Sequence, residues 1–120
     1  MNAVVNLSHR FDLPPDALFA LLLDPTAWWD EDATGTLDAT VGGAFTSSDE
    51  CGTVRAMEAA QKLTLELDDD TLVLLVLNAG LDGTELTVLH TRFESGTARD
   101  EYLPRWQARI TRLAALATPA

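Results

Sequence analysis

Cysteine is all but missing from these 120 residues: Cys51 stands alone, so no intrachain disulfide can form and a reducing cytoplasm is the expected home. Basic residues are scarce as well. Eight Lys and Arg face nineteen Asp and Glu, for a net charge of −11, and none of the eight sits in a run. Phosphate binding needs clustered cations, so nucleic acid is excluded as a partner, and an anionic membrane surface would repel the chain. The longest apolar runs, Ala17 to Leu23 and Leu72 to Leu77, are far shorter than the roughly 20 residues that span a bilayer. Met1 to Asn6 offers neither a basic start nor a long apolar stretch, so no secretory leader is expected. Histidine occurs twice, as His9 and His90, with no His-x-x-x-His or Glu-x-x-His spacing, and neither a metal site nor a cofactor is expected.

What is present is an ordinary globular composition, 47% hydrophobic, at a length that suits one domain over residues 1–120 with a single core. Residues 3–11 alternate, with Val5, Leu7, His9 and Phe11 on one face. Pro14-Pro15-Asp16 opens a helix, because proline suits the first helical turn and an acid there complements the dipole. Asp24-Pro25 stops it. Trp28-Trp29 follows in a connecting segment. Strands are then expected at 36–41, 44–47, 51–58 (Val54 and Ala56 on one face), 62–67, 71–78 and 84–93. Gly42-Gly43, Asp68-Asp69-Asp70 and Gly80 to Gly83 supply the turns.

Ser95 to Thr97 can cap a last helix whose apolar spacing runs through Trp106, Ile110, Leu113, Ala114 and Ala117. Pro104 either opens that helix or kinks a longer one. The order is β-α-β6-α, an α+β chain whose sequential hairpins make the sheet antiparallel.

That order, and the residues that punctuate it, resembles the START-like or SRPBCC superfamily. Within it the chain is similar to the family named for the activator of the ninety-kilodalton heat-shock-protein ATPase. The residues that carry the likeness are Pro14-Pro15 to Leu22 with Asp24-Pro25, Trp28-Trp29, Val41-Gly42-Gly43-Ala44-Phe45 and Gly52-Thr53-Val54. Lys62-Leu63, Gly83-Thr84-Glu85-Leu86-Thr87-Val88, His90 before Phe93, and Trp106 with Leu113 complete them. The resemblance implies a helix-grip fold: a seven-stranded antiparallel sheet wrapped around a long C-terminal helix, with a ligand cavity between them. Many relatives carry a glutamate two residues after the strand valine, facing that cavity; Ala56 stands there in this chain.

The cavity walls expected from this picture are Trp28, Trp29 and Phe45, then Val54, Leu65, Leu86 and Val88 from the strands. His90, Tyr102, Trp106 and Ile110 complete the set. His90 shares a strand face with Leu86 and Val88, where it either bonds to backbone or water or orients a ligand carbonyl or hydroxyl. Tyr102 lies one turn before Trp106, so its hydroxyl can reach the same space. Arg92 is expected at the rim or in a surface salt bridge. The acidic clusters Asp30-Glu31-Asp32, Asp49-Glu50 and Asp68-Asp69-Asp70 read as solvated turns. Cys51, beside acids, reads as an unreactive thiol.

The expected function is non-catalytic binding of a small hydrophobic molecule, with no catalytic residues. One alternative is a cyclase- or hydrolase-like enzyme using His90 and Tyr102. The other is a protein-interaction or co-chaperone-like module, including a homodimer, anchored by an exposed Trp28 or Trp29.

Overall fold

The first strand, β1 (Ala3–Phe11), and the helix α1 (Pro15–Leu22) fall where alternation and the proline pair put them. These elements come from a computed structural model that describes residues 3–29, 35–47, 50–93 and 95–117. The Asp30-Glu31-Asp32 cluster, Asp49 and Met1-Asn2 lie outside the described residues. Pro14 is extended, and its carbonyl accepts the first helical bond from Leu18. Asp24 then accepts from the Thr26 amide and starts a single 3-10 turn, Pro25–Ala27, that delivers Trp28 and Trp29 inward.

Six further strands follow: β2 (Thr36–Leu37), β3 (Ala44–Thr46), β4 (Cys51–Glu58), β5 (Lys62–Leu67), β6 (Leu72–Gly80) and β7 (Gly83–Phe93). The chain closes with α2 (Gly96–Ala117). Among the described residues the sheet has seven strands in the order β1-β7-β6-β5-β4-β3-β2, every pairing antiparallel. Five successive hairpins build the meander from β2 to β7. β1 adds to its far edge, after α1 has carried the chain across. α2 packs against β1 and β7, while α1 packs against β6 and β7. The core lies between the inward sheet face and the helices, with Leu63, Leu65, Val73, Leu75, Leu86 and Val88 from the strands facing Leu18, Leu22, Trp106 and Leu113. Each such side chain stabilises the fold by about 1.5–3 kcal/mol over exposure.

Several local expectations are corrected. The strand expected at 36–41 stops at Leu37. Asp38 to Gly43 turns instead, with Thr40 donating to the Asp38 carbonyl and Gly43 to that of Thr40. The strand expected at 71–78 runs two residues further, to Gly80. Gly83 there has a φ of 150°, and a Cβ would collide with the Phe11 carbonyl oxygen, so β1 can close on the hairpin only over glycine.

Ala56 does not share a face with Val54. Pairing passes from Val54–Leu65 to Ala56–Thr64, which makes Arg55 an extra residue and brings Met57, opposite Leu63, inward instead. A second bulge lies in β7. Val5 opposes His90 while Ala3 opposes Phe93, and Arg92 takes a φ of 70°, so Phe93 turns in and Arg92 out. Arg92 pairs with Glu66 at 3.5 Å on the surface.

His9 is exposed rather than on the buried face, and it lies opposite Leu86 while His90 lies opposite Val5. Four residues of strand hold the two histidines about 13 Å apart, so they do not form a pair. Pro104 lies inside one continuous helix, the second of its two alternatives.

Candidate ligand site at the end of the sheet

Strand register brings four strand ends to one end of the sheet. Gly52 at the start of β4 opposes Leu67 at the end of β5, and Leu72 at the start of β6 opposes Thr91 near the end of β7. The Asp68–Asp70 turn joins the middle two, with Asp70 at a φ of 67° and its amide on the Leu67 carbonyl. The early turns of α2 cross this end, capped by the Ser95 hydroxyl, which accepts from the Ala98 amide. A chain of polar side chains begins there and runs inward.

The direction of that chain follows from its inner member. The Trp106 indole can only donate, and its Nε1 lies 2.9 Å from His90 Nδ1, so Nδ1 carries the lone pair. His90 is therefore the neutral Nε2–H tautomer and donates to Thr71 Oγ1 at 2.8 Å. Thr71 in turn donates to Asp69 Oδ1, and the Tyr102 hydroxyl donates to Asp69 Oδ2 at 3.2 Å. His90 is fully buried, and burial pulls its pKa from 6.5 down to about 4, which agrees with the neutral form. Burial alone would raise Asp69, but hydrogen bonds from the Thr71 side chain and amide, and from Tyr102, hold its carboxyl below the usual range. Tyr102 is pushed up by burial, with Glu50 and Asp69 adding to the effect.

Behind this chain lies a cluster of packed aromatic rings. Trp29 meets Phe45 at 4.5 Å and Trp106 at 5.2 Å between ring centroids, and Tyr102 meets His90 at 4.7 Å. The Arg109 guanidinium lies 4.2 Å from the Trp29 ring centroid and 4.8 Å from that of Trp106. Its Nε donates to the Trp29 carbonyl, and its Nη2 forms a 2.5 Å ion pair with Glu50 Oε1. Arg112 ties the Trp28 and Trp29 carbonyls to α2 in the same way. Burial raises the Glu50 pKa, and Arg109 opposes the shift without cancelling it.

The expected wall residues do converge. Trp28, Trp29, Phe45, Val54, Leu65, Leu86, Val88, His90 and Trp106 are all buried on the inner side, with Tyr102 and Ile110 packed against them. Most of them touch one another. The concave space at this end of the sheet is a pocket of about 220 Å³ lined by Glu50, Cys51, Leu67, Asp68, Asp69 and Tyr102, so Tyr102 is the one expected wall residue that opens onto it.

Glu50, Asp69, Thr71 and Arg109 escape a reading of the sequence. The first two sit in runs of acids that look solvated. Arg109 had a signal, since 102, 106, 109 and 113 form one helical stripe in which an arginine stands at an apolar position. Cys51 is exposed and donates to Asp68 at 2.6 Å; that bond raises its pKa, with desolvation and then the carboxylate charge adding to it. Among the described residues no group of three or more His, Cys, Asp or Glu could hold a metal ion, and no helix is long and apolar enough to cross a membrane.

A family model for Activator of Hsp90 ATPase homolog 1-like protein matches residues 12–118. A search of curated proteins finds no match. Solved structures with the same fold include protein CV1439 from Chromobacterium violaceum, 21% identical, covering 98% of this chain and 99% of that one with a TM-score of 0.76. CalU16 from Micromonospora echinospora is 24% identical over 97% of this chain and 76% of its own, with a TM-score of 0.83. The Aha1 dimer from Colwellia psychrerythraea is 12% identical over 96% of each chain, with a TM-score of 0.82. At these identities the likeness is one of fold.

Proposed function

The chain belongs to the family of Activator of Hsp90 ATPase homolog 1-like proteins, and from that premise we propose that it is a non-catalytic binder of a small molecule with an apolar body, held between the sheet end and α2. The observation that carries this reading is the 220 Å³ pocket beside Tyr102, a volume that suits a molecule of several carbon atoms. Leu67 and the Tyr102 ring offer it apolar surface. The packed Trp29, Phe45 and Trp106 behind them give a rigid floor.

A binding role is favoured over acid–base catalysis by the state of His90. Both ring nitrogens are bonded, the ring is fully buried, and its pKa near 4 leaves it neutral at pH 7. A general acid or base needs a proton site within reach of substrate. Tyr102 reaches the pocket, but its hydroxyl is tied to Asp69 and its pKa is raised.

Native mass spectrometry of freshly purified protein tests the reading. The expected result is one small-molecule adduct per chain, or uptake of one from an apolar library. Either should be abolished by Cys51→Trp, which plugs the pocket from its exposed wall. Failure to retain any molecule from such a library would end the proposal.

A further inference from the structure

Every residue of β6 from Leu72 to Leu77 is apolar, although an antiparallel strand with one solvated face should alternate. Such a run marks a strand covered on both sides. Val73, Leu75 and Leu77 point inward and join the buried side chains of α1 and α2 in the core. Leu72, Leu74 and Val76 point the other way, are partly exposed, and take no part in that cluster. Register widens the patch. Leu89 of β7 opposes Leu74 and also Asn6 of β1, while Leu74 opposes Thr64 of β5. Leu72, Leu74, Val76 and Leu89 thus form one apolar field at the middle of the outer sheet face, and nothing among the described residues packs over it.

The charges are distributed to match. Four of the chain's eight basic residues, Arg10, Arg55, Lys62 and Arg92, stand on this face against three acids, Glu58, Glu66 and Glu85. Arg55 and Arg92 both hold Glu66, at 3.1 and 3.5 Å, and Lys62 lies 3.9 Å from Glu58. The face carries +1 in a chain whose net charge is −11, so the remaining surface is strongly acidic.

We propose that this face pairs with the same face of a second copy of the chain, the two sheets stacking through Leu72, Leu74, Val76 and Leu89. Two chains at −11 repel wherever their acidic surfaces meet, and the outer sheet face is where that repulsion is least. A two-fold axis through the patch sets apolar centre on apolar centre and lets basic and acidic rim residues alternate between the copies. Five strands, β4 to β7 and β1, about 4.8 Å apart and with about four outward residues each, offer roughly 600 Å² per copy. The total of about 1,200 Å² is the lower limit of a specific interface, so the pair should be weak, with a dissociation constant on the order of 10 μM. This inference is independent of the pocket beside Tyr102, which lies at the end of the sheet.

Sedimentation velocity at protein concentrations from about 1 μM to about 1 mM tests it. Wild-type protein should pass from monomer to dimer within that range. Leu74→Lys, with its circular dichroism unchanged, should weaken the dimer about tenfold or more, and Leu89→Lys does the same from the neighbouring strand should Leu74→Lys fail to fold. Leu81→Lys alters a fully exposed leucine at a hairpin tip and should leave the dimer intact. A monomer at every concentration would overturn the proposal and leave the face to a different partner. A dimer that survives both Leu74→Lys and Leu89→Lys, or that Leu81→Lys abolishes, would overturn it as well, because another surface would then hold the copies together.

Discussion

His90 shows how one side chain can be legible in its position and hidden in its chemistry. Strand alternation turns it inward with Leu86 and Val88, and the structure leaves it fully buried there. Its partners come from elsewhere: Trp106 lies 16 residues downstream, and Thr71 lies 19 upstream beside a turn that composition marks as solvent. In the unfolded chain this imidazole takes a proton below about pH 6.5, whereas in the folded protein it resists until about pH 4. Between those values the unfolded state binds more protons, so stability falls as the pH drops through the window, by about 3 kcal/mol from this group alone. Glu50, with its raised pKa, works in the opposite sense, since protonation relieves a buried charge as the pH falls. The difference between wild type and His90→Gln isolates the histidine. Urea denaturation from pH 7.5 to 4 should show wild-type stability falling relative to the variant; parallel curves would contradict the buried neutral imidazole. Arg109 and Glu50 were illegible for a related reason, because sequence assigns charges to surfaces unless it can see both members of a pair.

Among the elements, the bounds of strands with clean period-two patterns were readable to the residue, as β1 and β5 show, although His9 of β1 proved exposed. Irregularity was not readable. The bulges at Arg55 and Arg92 each reverse which residue faces inward, and nothing in the local composition distinguishes them from regular strand. The short β2 was misjudged because Asp38 to Gly43 satisfies its amides in a turn that β-rich residues such as Thr40 and Val41 disguise. Helix α2 keeps Pro104 inside a continuous run, which forfeits one backbone bond and crowds the preceding turn. Pro104 is exposed, so its ring contributes little packing. Pro104→Ala should therefore raise stability by about 1–3 kcal/mol, read as a higher urea midpoint at unchanged slope. A loss of stability would mean that the proline ring shapes the approach of Tyr102 to Asp69.

For the molecule as a whole, the helix-grip arrangement was legible because element order, hairpin spacing and the amphipathic last helix agree with one another. The state of its interior was not. Whether aromatic residues leave a hollow or close it depends on rotamers and on the Arg109 guanidinium beside Trp29 and Trp106, neither of which a linear pattern encodes. The pocket beside Tyr102 puts the candidate ligand site where β4, β5 and α2 meet. Amide chemical-shift mapping by NMR during titration with 1-hexanol locates that site directly. Saturable shifts should centre on Cys51, Leu67 to Asp69 and Tyr102, and should vanish in Cys51→Trp. Shifts centred instead on the Pro15 and Leu81 loops at the opposite end, or no saturable shift at all, would contradict a ligand mouth between the sheet and its terminal helix.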